Sequence, residues 1–130
     1  MDKELASGLV IAAPASGSGK TVITLSLLRA LKNSGVNAAS FKIGPDYIDP
    51  AYHAAASGDL CRNLDFWAMR EDTLHRQRVS TVEENDLVIT EGVMGLFDGA
   101  TTGDMKNNGS TADAANWLNW PVLLVVDAKS

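Results

Sequence analysis

Apolar residues in this chain gather into short blocks separated by glycine, proline and polar residues. Gly8–Ala13, Val36–Lys42, Leu87–Thr90 and Pro121–Val126 have the length and β-branched content of strands. Between them lie segments with helical spacing. Val22 to Leu31 is apolar on more than one face, which predicts a helix largely buried against a sheet. Gly35 sits where a helix C′ residue belongs, and Gly58 is placed to end a short helix over Ala51–Ser57. Glu71–Glu84 reads as a helix, and Ser110 or Thr111 can N-cap another that runs to Leu118. Residues 1–7 read as a short lead, and Cys61–Met69 shows no period. Strands alternating with helices give parallel βαβ units, so an α/β fold with a parallel sheet flanked by helices is expected. Ligands then belong at the carboxyl ends of the strands.

Four strand ends deliver polar residues to that rim: the turn after Ala13, Lys42 with Asp46, Glu91 with the loop to Gly109, and Asp127. Asp127 suits a nucleotide contact or a solvated strand end equally. The first turn carries the most specific signal. Pro14-Ala15-Ser16-Gly17-Ser18-Gly19-Lys20-Thr21 lies between a strand and a helix, the context of a phosphate-binding P-loop. Its glycines let backbone N–H groups turn toward a phosphate, and the helix N-terminus adds partial positive charge at the same point. Lys20 would reach the β- and γ-phosphates of a nucleotide, and the Thr21 hydroxyl would ligate Mg2+. Pro14 stands where the pattern has glycine and brings no N–H, so the cradle is expected over Ser16, Gly17, Ser18, Gly19, Lys20 and Thr21.

Lys42-Ile43-Gly44-Pro45-Asp46-Tyr47-Ile48-Asp49-Pro50 places two carboxylates three residues apart behind a lysine. Lys42 can stabilise charge on a transferring phosphoryl group, and Asp46 can hold Mg2+. The same residues also suit a plain turn, with Asp49-Pro50 starting a helix. Glu91, ending an apolar strand beside a P-loop, is the expected second Mg2+ anchor. In Gly92–Gly99 the glycines permit a tight path that aims Asp98, and at least one of Met94, Leu96 and Phe97 is expected in the core. His53 reads more readily as structural than as catalytic. Phe66, Trp67, Trp117 and Trp120 read as packing residues, and Cys61 as an inert thiol with no evident activating partner.

Composition narrows the class. The chain has 130 residues, suited to one domain, and a net charge of −5, which argues against a general nucleic-acid surface. No apolar run approaches the ~20 residues a membrane span needs. A single cysteine excludes an internal disulfide framework and suits a reducing cytoplasm.

Taken together, Ala-Pro-x-Ser-Gly-x-Gly-Lys-Thr, Lys-x-Gly-Pro-Asp-Tyr-Ile-Asp-Pro-x-x-His, Asn-Leu-Asp-x-Trp, Glu-Gly-Val-Met-Gly-Leu-Phe-Asp-Gly and Gly-Ser-Thr-Ala resemble, in order, the N-terminal synthetase domain of the cobyrinic or hydrogenobyrinic acid a,c-diamide synthases. That family has a dethiobiotin-synthetase-like P-loop fold. The resemblance implies an ATP- and Mg2+-dependent amidoligase that phosphorylates side-chain carboxylates of a corrin, with ammonia from a glutaminase domain that nothing in this chain matches. It implies that Lys20 and Thr21 hold nucleotide and metal, that Asp46, Glu91 and Asp98 are metal and catalytic acids, and that Asp49 handles the substrate. Ser110 and Thr111 would bring a helix N-terminus near a substrate carboxylate. The chain is then expected to be the first, truncated part of a longer cytoplasmic enzyme, with a homodimer left open. Cobyric acid synthase is a near rival. A partition-type ATPase switch would carry an extra lysine early in the P-loop, where this chain has Pro14-Ala15-Ser16.

Overall fold

The computed structural model describes residues 8–15, 19–46, 48–98 and 110–128. The expected lead, the Ser16–Ser18 part of the cradle and the 99–109 part of the long loop lie outside the described residues. Five parallel strands form one sheet in the order β3-β2-β4-β1-β5. They are β1 (Gly8–Ala12), β2 (Ala38–Ile43), β3 (Cys61–Leu64), β4 (Leu87–Glu91) and β5 (Val122–Leu124). The helices are α1 (Lys20–Asn33), α2 (Asp49–Ser57), α3 (Glu71–Glu84) and α4 (Thr111–Leu118). This is the expected α/β architecture.

Two cores sandwich the sheet. On one face Ile11, Ala38 and Ile89 meet Leu28 of α1 and Ala56 of α2. On the other, Val10, Phe41, Leu64 and Val88 meet Leu74 of α3 and Leu118 of α4. The odd and even positions of one strand thus feed opposite cores, as the period of two requires. Trp120 closes the second core by stacking on Phe41, with ring centroids 6.3 Å apart. Gly8 is needed beneath it: a Cβ there would fall 2.3 Å from the indole. Trp117 takes Phe66 edge-on at 5.3 Å and lies under the Arg78 guanidinium.

Local signals explain the element ends. Gly35 and Gly58 adopt φ of 82° and 75°, the left-handed conformation that closes α1 and α2. Ser110 Oγ accepts the Asp113 N–H and caps α4. Pro50 lies in the first turn of α2, where its missing N–H costs nothing.

Several expectations need refinement. Cys61–Leu64, without visible period, is a strand; only four residues long and at the sheet edge, it alternates too briefly to be read. The run Pro121–Val126 is a strand over Val122–Leu124, half-exposed beside β1, and the ladder continues through the Pro121 carbonyl and the Val125 N–H. Helix α1 is less buried than its composition suggests. Only Thr24 and Leu28, one turn apart, are fully buried, while Val22 is 68% exposed. One stripe meets the sheet, whatever the other faces carry. Trp67, expected to pack, is likewise 56% exposed.

The order of the strands also places a crevice. The connection from β1 runs through α1 over one face, and that from β4 through α4 over the other. β1 and β4 are neighbours, so their loops part between them, the position where open α/β sheets bind ligands.

Candidate active site

Two lysines mark the rim of that crevice. Lys20 opens α1 behind Gly19, whose φ of 90° is a left-handed turn that suits glycine. No acidic residue occupies the first turn of α1, so no side chain there offsets the helix dipole. Lys20 Nζ donates to the Met94 carbonyl at 2.7 Å. Burial, followed by the positive charge of Lys42, lowers the Lys20 pKa. Thr21 follows in the same turn, half-buried.

Lys42 is the second. It ends β2 in register with Glu91 of β4, so the two side chains leave adjacent strands side by side. Its ammonium donates to Glu91 Oε2 at 2.5 Å and to the Gly92 carbonyl at 3.0 Å. It also lies 3.3 Å from Asp49 Oδ2 and 4.0 Å from Asp46 Oδ2. Three carboxylates therefore converge on one buried cation. Burial acts to raise the Glu91 pKa, but hydrogen bonds from His53 and Lys42 outweigh it and bring it down to about 2. Asp49 moves the other way: burial, then its hydrogen bond to Glu91 and that residue's charge, raise it. For Asp46, burial is outweighed by the N–H groups of Ile48 and Asp49, which hold it low. Those bonds, 2.8 and 3.1 Å to Oδ1, also tie Asp46 to the start of α2.

The structure thus brings Lys42, Asp46, Asp49 and Glu91 into one cluster. The turn and the charged site are not alternatives, because Asp46 makes both. Among the described residues no three His, Cys, Asp or Glu side chains surround a common point as a self-sufficient metal cage would. A nucleotide-borne Mg2+ needs only one or two protein carboxylates and takes phosphate and water for the rest. Thr21, Asp46 and Glu91 offer oxygen donors alone, and the convergence on Lys42 shows that this corner already favours positive charge. The donor set fits such an ion.

Asp98 turns back on its own loop: its Oδ2 accepts the Gly95 N–H at 2.9 Å. That loop is stitched to the β1 end, where Leu96 N–H donates to the Ala13 carbonyl at 2.8 Å. Gly95 is required there, since a Cβ would lie 2.6 Å from the Pro14 carbonyl oxygen. Leu96 is half-buried, whereas Phe97 is 77% exposed. The hydroxyls of Ser110 and Thr111 have internal work. Ser110 caps α4, and buried Thr111 accepts from Val93 N–H at 2.9 Å and donates to its carbonyl at 3.1 Å. What this segment can turn to a ligand is the start of α4 rather than the Thr111 side chain. The calls for Ser16, Gly17 and Ser18 fall outside the described residues.

Two supporting residues were not placed at the site by the sequence reading. Asn63 of β3 donates to the carbonyls of Gly44 and Asp46, both at 2.8 Å, and so pins the loop that carries the acids. His53 of α2 is fully buried and its Nε2 lies 3.3 Å from Glu91 Oε1. Cys61, read as partnerless, has its Sγ 3.4 Å from His53 Nδ1. The reading failed because this contact needs β3, which the sequence did not reveal.

Comparison with known proteins identifies the family. The family model for the CobQ/CobB/MinD/ParA nucleotide binding domain matches residues 9–124. The chain is 53% identical to the hydrogenobyrinate a,c-diamide synthase of Rhodobacter capsulatus, over 94% of this chain and 28% of that protein. It is 57% identical to the protein of the same name from Brucella anthropi, over 92% of this chain and 27% of the relative. For the Rhizobium meliloti protein of that name the identity is 52%, over 93% and 27%. The chain spans little more than a quarter of the length of these curated relatives. By fold, by the rim that the fold builds and by this match, the chain belongs to the CobQ/CobB/MinD/ParA nucleotide binding domain family, with a P-loop NTPase fold.

Proposed function

We propose that this chain is the nucleotide-binding part of an ATP-dependent amidoligase that acts on the a and c carboxylates of hydrogenobyrinic or cobyrinic acid, with ammonia derived from glutamine. The observation that carries the reading is the cluster of Lys42 with Asp46, Asp49 and Glu91 beside Lys20. The names of the relatives above supply the substrate class.

The chemistry follows from the electrophile. Ammonia cannot usefully attack a carboxylate, because oxide would have to leave. If a carboxylate oxygen first attacks the γ-phosphorus of ATP, ADP leaves and an acyl phosphate forms. Ammonia then adds to the carbonyl carbon, inorganic phosphate departs, and an amide remains. Phosphoryl transfer asks a protein mainly for positioning and charge neutralisation. Lys20 and the N-terminal turn of α1 would hold the β- and γ-phosphates. Lys42 would meet the charge that develops on the transferring group, and Asp49 would orient the attacking carboxylate. Thr21, Asp46 and Glu91 would hold Mg2+, which when bound neutralises phosphate charge. Asp98 would act from the loop after Glu91, and the start of α4 at Ser110 and Thr111 would face a substrate carboxylate.

The oxygen ledger tests this. If the corrin carboxylate is the nucleophile, one of its oxygens ends in phosphate. Substrate labelled with heavy oxygen in its carboxylates should give one labelled oxygen in phosphate per amide formed, read by mass spectrometry. Unlabelled phosphate with normal amide formation overturns the acyl phosphate and the roles given to Lys42 and Asp49.

A further inference from the structure

His53 is the buried polar group that this mechanism leaves without work. Burying an imidazole without partners is costly, and a packing role alone would be met by an apolar side chain. Here each ring nitrogen has a polar neighbour: Nε2 lies 3.3 Å from Glu91 Oε1, and Nδ1 lies 3.0 Å from Ser40 Oγ and 3.4 Å from Cys61 Sγ. The sheet explains the geometry. Ser40 and Lys42 are two apart on β2 and share one face; Ser40 is in register with Cys61, and Lys42 with Glu91. Helix α2 lies on that same face and lowers His53 onto the row. Glu91, itself fully buried, is therefore held at both oxygens, Oε2 by Lys42 and Oε1 by His53. A carboxylate has about four lone-pair sites, so two such bonds fix its plane and still leave acceptor capacity.

We infer that His53 is a positioning residue: anchored at Nδ1 by Ser40 and Cys61, it clamps Glu91 Oε1 and so sets the orientation in which Glu91 meets the divalent cation that accompanies the nucleotide. This rests on the reading of Glu91 as a metal anchor. Groups that orient metal ligands typically change metal affinity by about 10- to 100-fold when removed.

Mn2+ serves as a probe, its binding read by electron paramagnetic resonance with a non-hydrolysable ATP analogue present. The protein is purified as its gene encodes it, and melting temperatures are recorded in parallel. In His53→Gln the amide nitrogen falls near Nε2 and can still donate to Glu91. In His53→Asn it falls near Nδ1 and cannot. The expected result is Mn2+ affinity close to native for His53→Gln and about 10- to 100-fold weaker for His53→Asn. A residue that merely fills space would not separate the two amides. Native affinity in His53→Asn, or equal loss in both, overturns the inference. Ser40→Ala combined with Cys61→Ala leaves the ring in place and removes both neighbours of Nδ1, so it serves if either histidine variant fails to fold. Weaker Mn2+ binding at an unchanged melting temperature supports the clamp, and unchanged binding overturns it. Glu91→Gln separates the two levels. If it binds Mn2+ as the native protein does, the metal-anchor reading falls and the clamp with it. If it loses affinity while His53→Asn keeps it, only the clamp falls.

Discussion

Lys42 and Lys20 stand on the same rim and are held in opposite ways. Lys42 is buried, with its ammonium fixed by Glu91, the Gly92 carbonyl and two aspartates. Lys20 is half-buried and has one hydrogen-bond acceptor among the described residues, a backbone carbonyl. The first cation is part of the fold and arrives already oriented. The second holds a neutral oxygen, which the phosphate of the proposed nucleotide would outcompete, since charge-assisted hydrogen bonds are the stronger. One rim thus combines a fixed charge with an exchangeable one.

The largest effect should come from breaking the fixed half. Glu91→Ala leaves Lys42 and His53 buried without their shared counter-charge, and breaking such a pair costs about 3–5 kcal/mol of stability. Denaturant unfolding reads it, and a cost under about 1 kcal/mol would contradict the account of Lys42 as part of the fold. Lys20→Ala should do the reverse. Nucleotide affinity should fall by about 10- to 100-fold, the worth of about 1.5–3 kcal/mol for hydrogen bonds to a charged group, while stability changes by less than about 0.5 kcal/mol. Titration calorimetry beside a melting curve decides it. Equal nucleotide affinity would remove the P-loop role of Lys20.

Gly95→Ala probes the acceptor of the exchangeable half. Its Cβ would press on the Pro14 carbonyl and the Asp98 carboxylate and push the Met94 loop away from β1. A loss of about 1 kcal/mol is expected, the low end for overpacking. The remaining effect is a pH slope rather than a fixed cost. Burial alone would lower the His53 pKa, but its bonds to Cys61 and Glu91 and the Glu91 charge raise it from 6.5 to about 9. A raised cation stabilises the fold fully below pH 6.5 and loses that contribution as pH climbs through about 9. Denaturation midpoints measured across that window should fall in the native protein and fall less in His53→Gln. An identical slope in both would remove His53 as the cause.

These contrasts also show what a sequence can and cannot carry. Gly35, Gly58 and the Ser110 cap were legible because each acts within a few residues of itself. The strand blocks were legible because period and length are local too. Lys42 and Glu91 could be placed at strand ends, but their contact depends on β2 lying beside β4, 49 residues apart in the chain. The contacts of His53, Asn63 and Cys61 were silent for the same reason: each joins different elements, and Asn63 and Cys61 sit on a strand of only four residues. Burial misled where composition stood in for neighbours. Val22 is as apolar as the residues of β1, yet what covers a residue is decided by the elements beside it.

The strand order has a consequence for how the chain comes off the ribosome. Gly8 pairs with Val88, so β1 waits for about 80 further residues before its inner neighbour exists. At about 5–20 residues per second that delay is roughly 4–16 s. Throughout it, an apolar strand and the glycine turn behind it have only local structure to join. The middle of the sheet is therefore assembled late, by long-range pairing that is intrinsically slow. A nascent chain of this kind should engage chaperones until β4 has emerged, and synonymous changes that slow translation between residues 43 and 86 should lengthen that engagement.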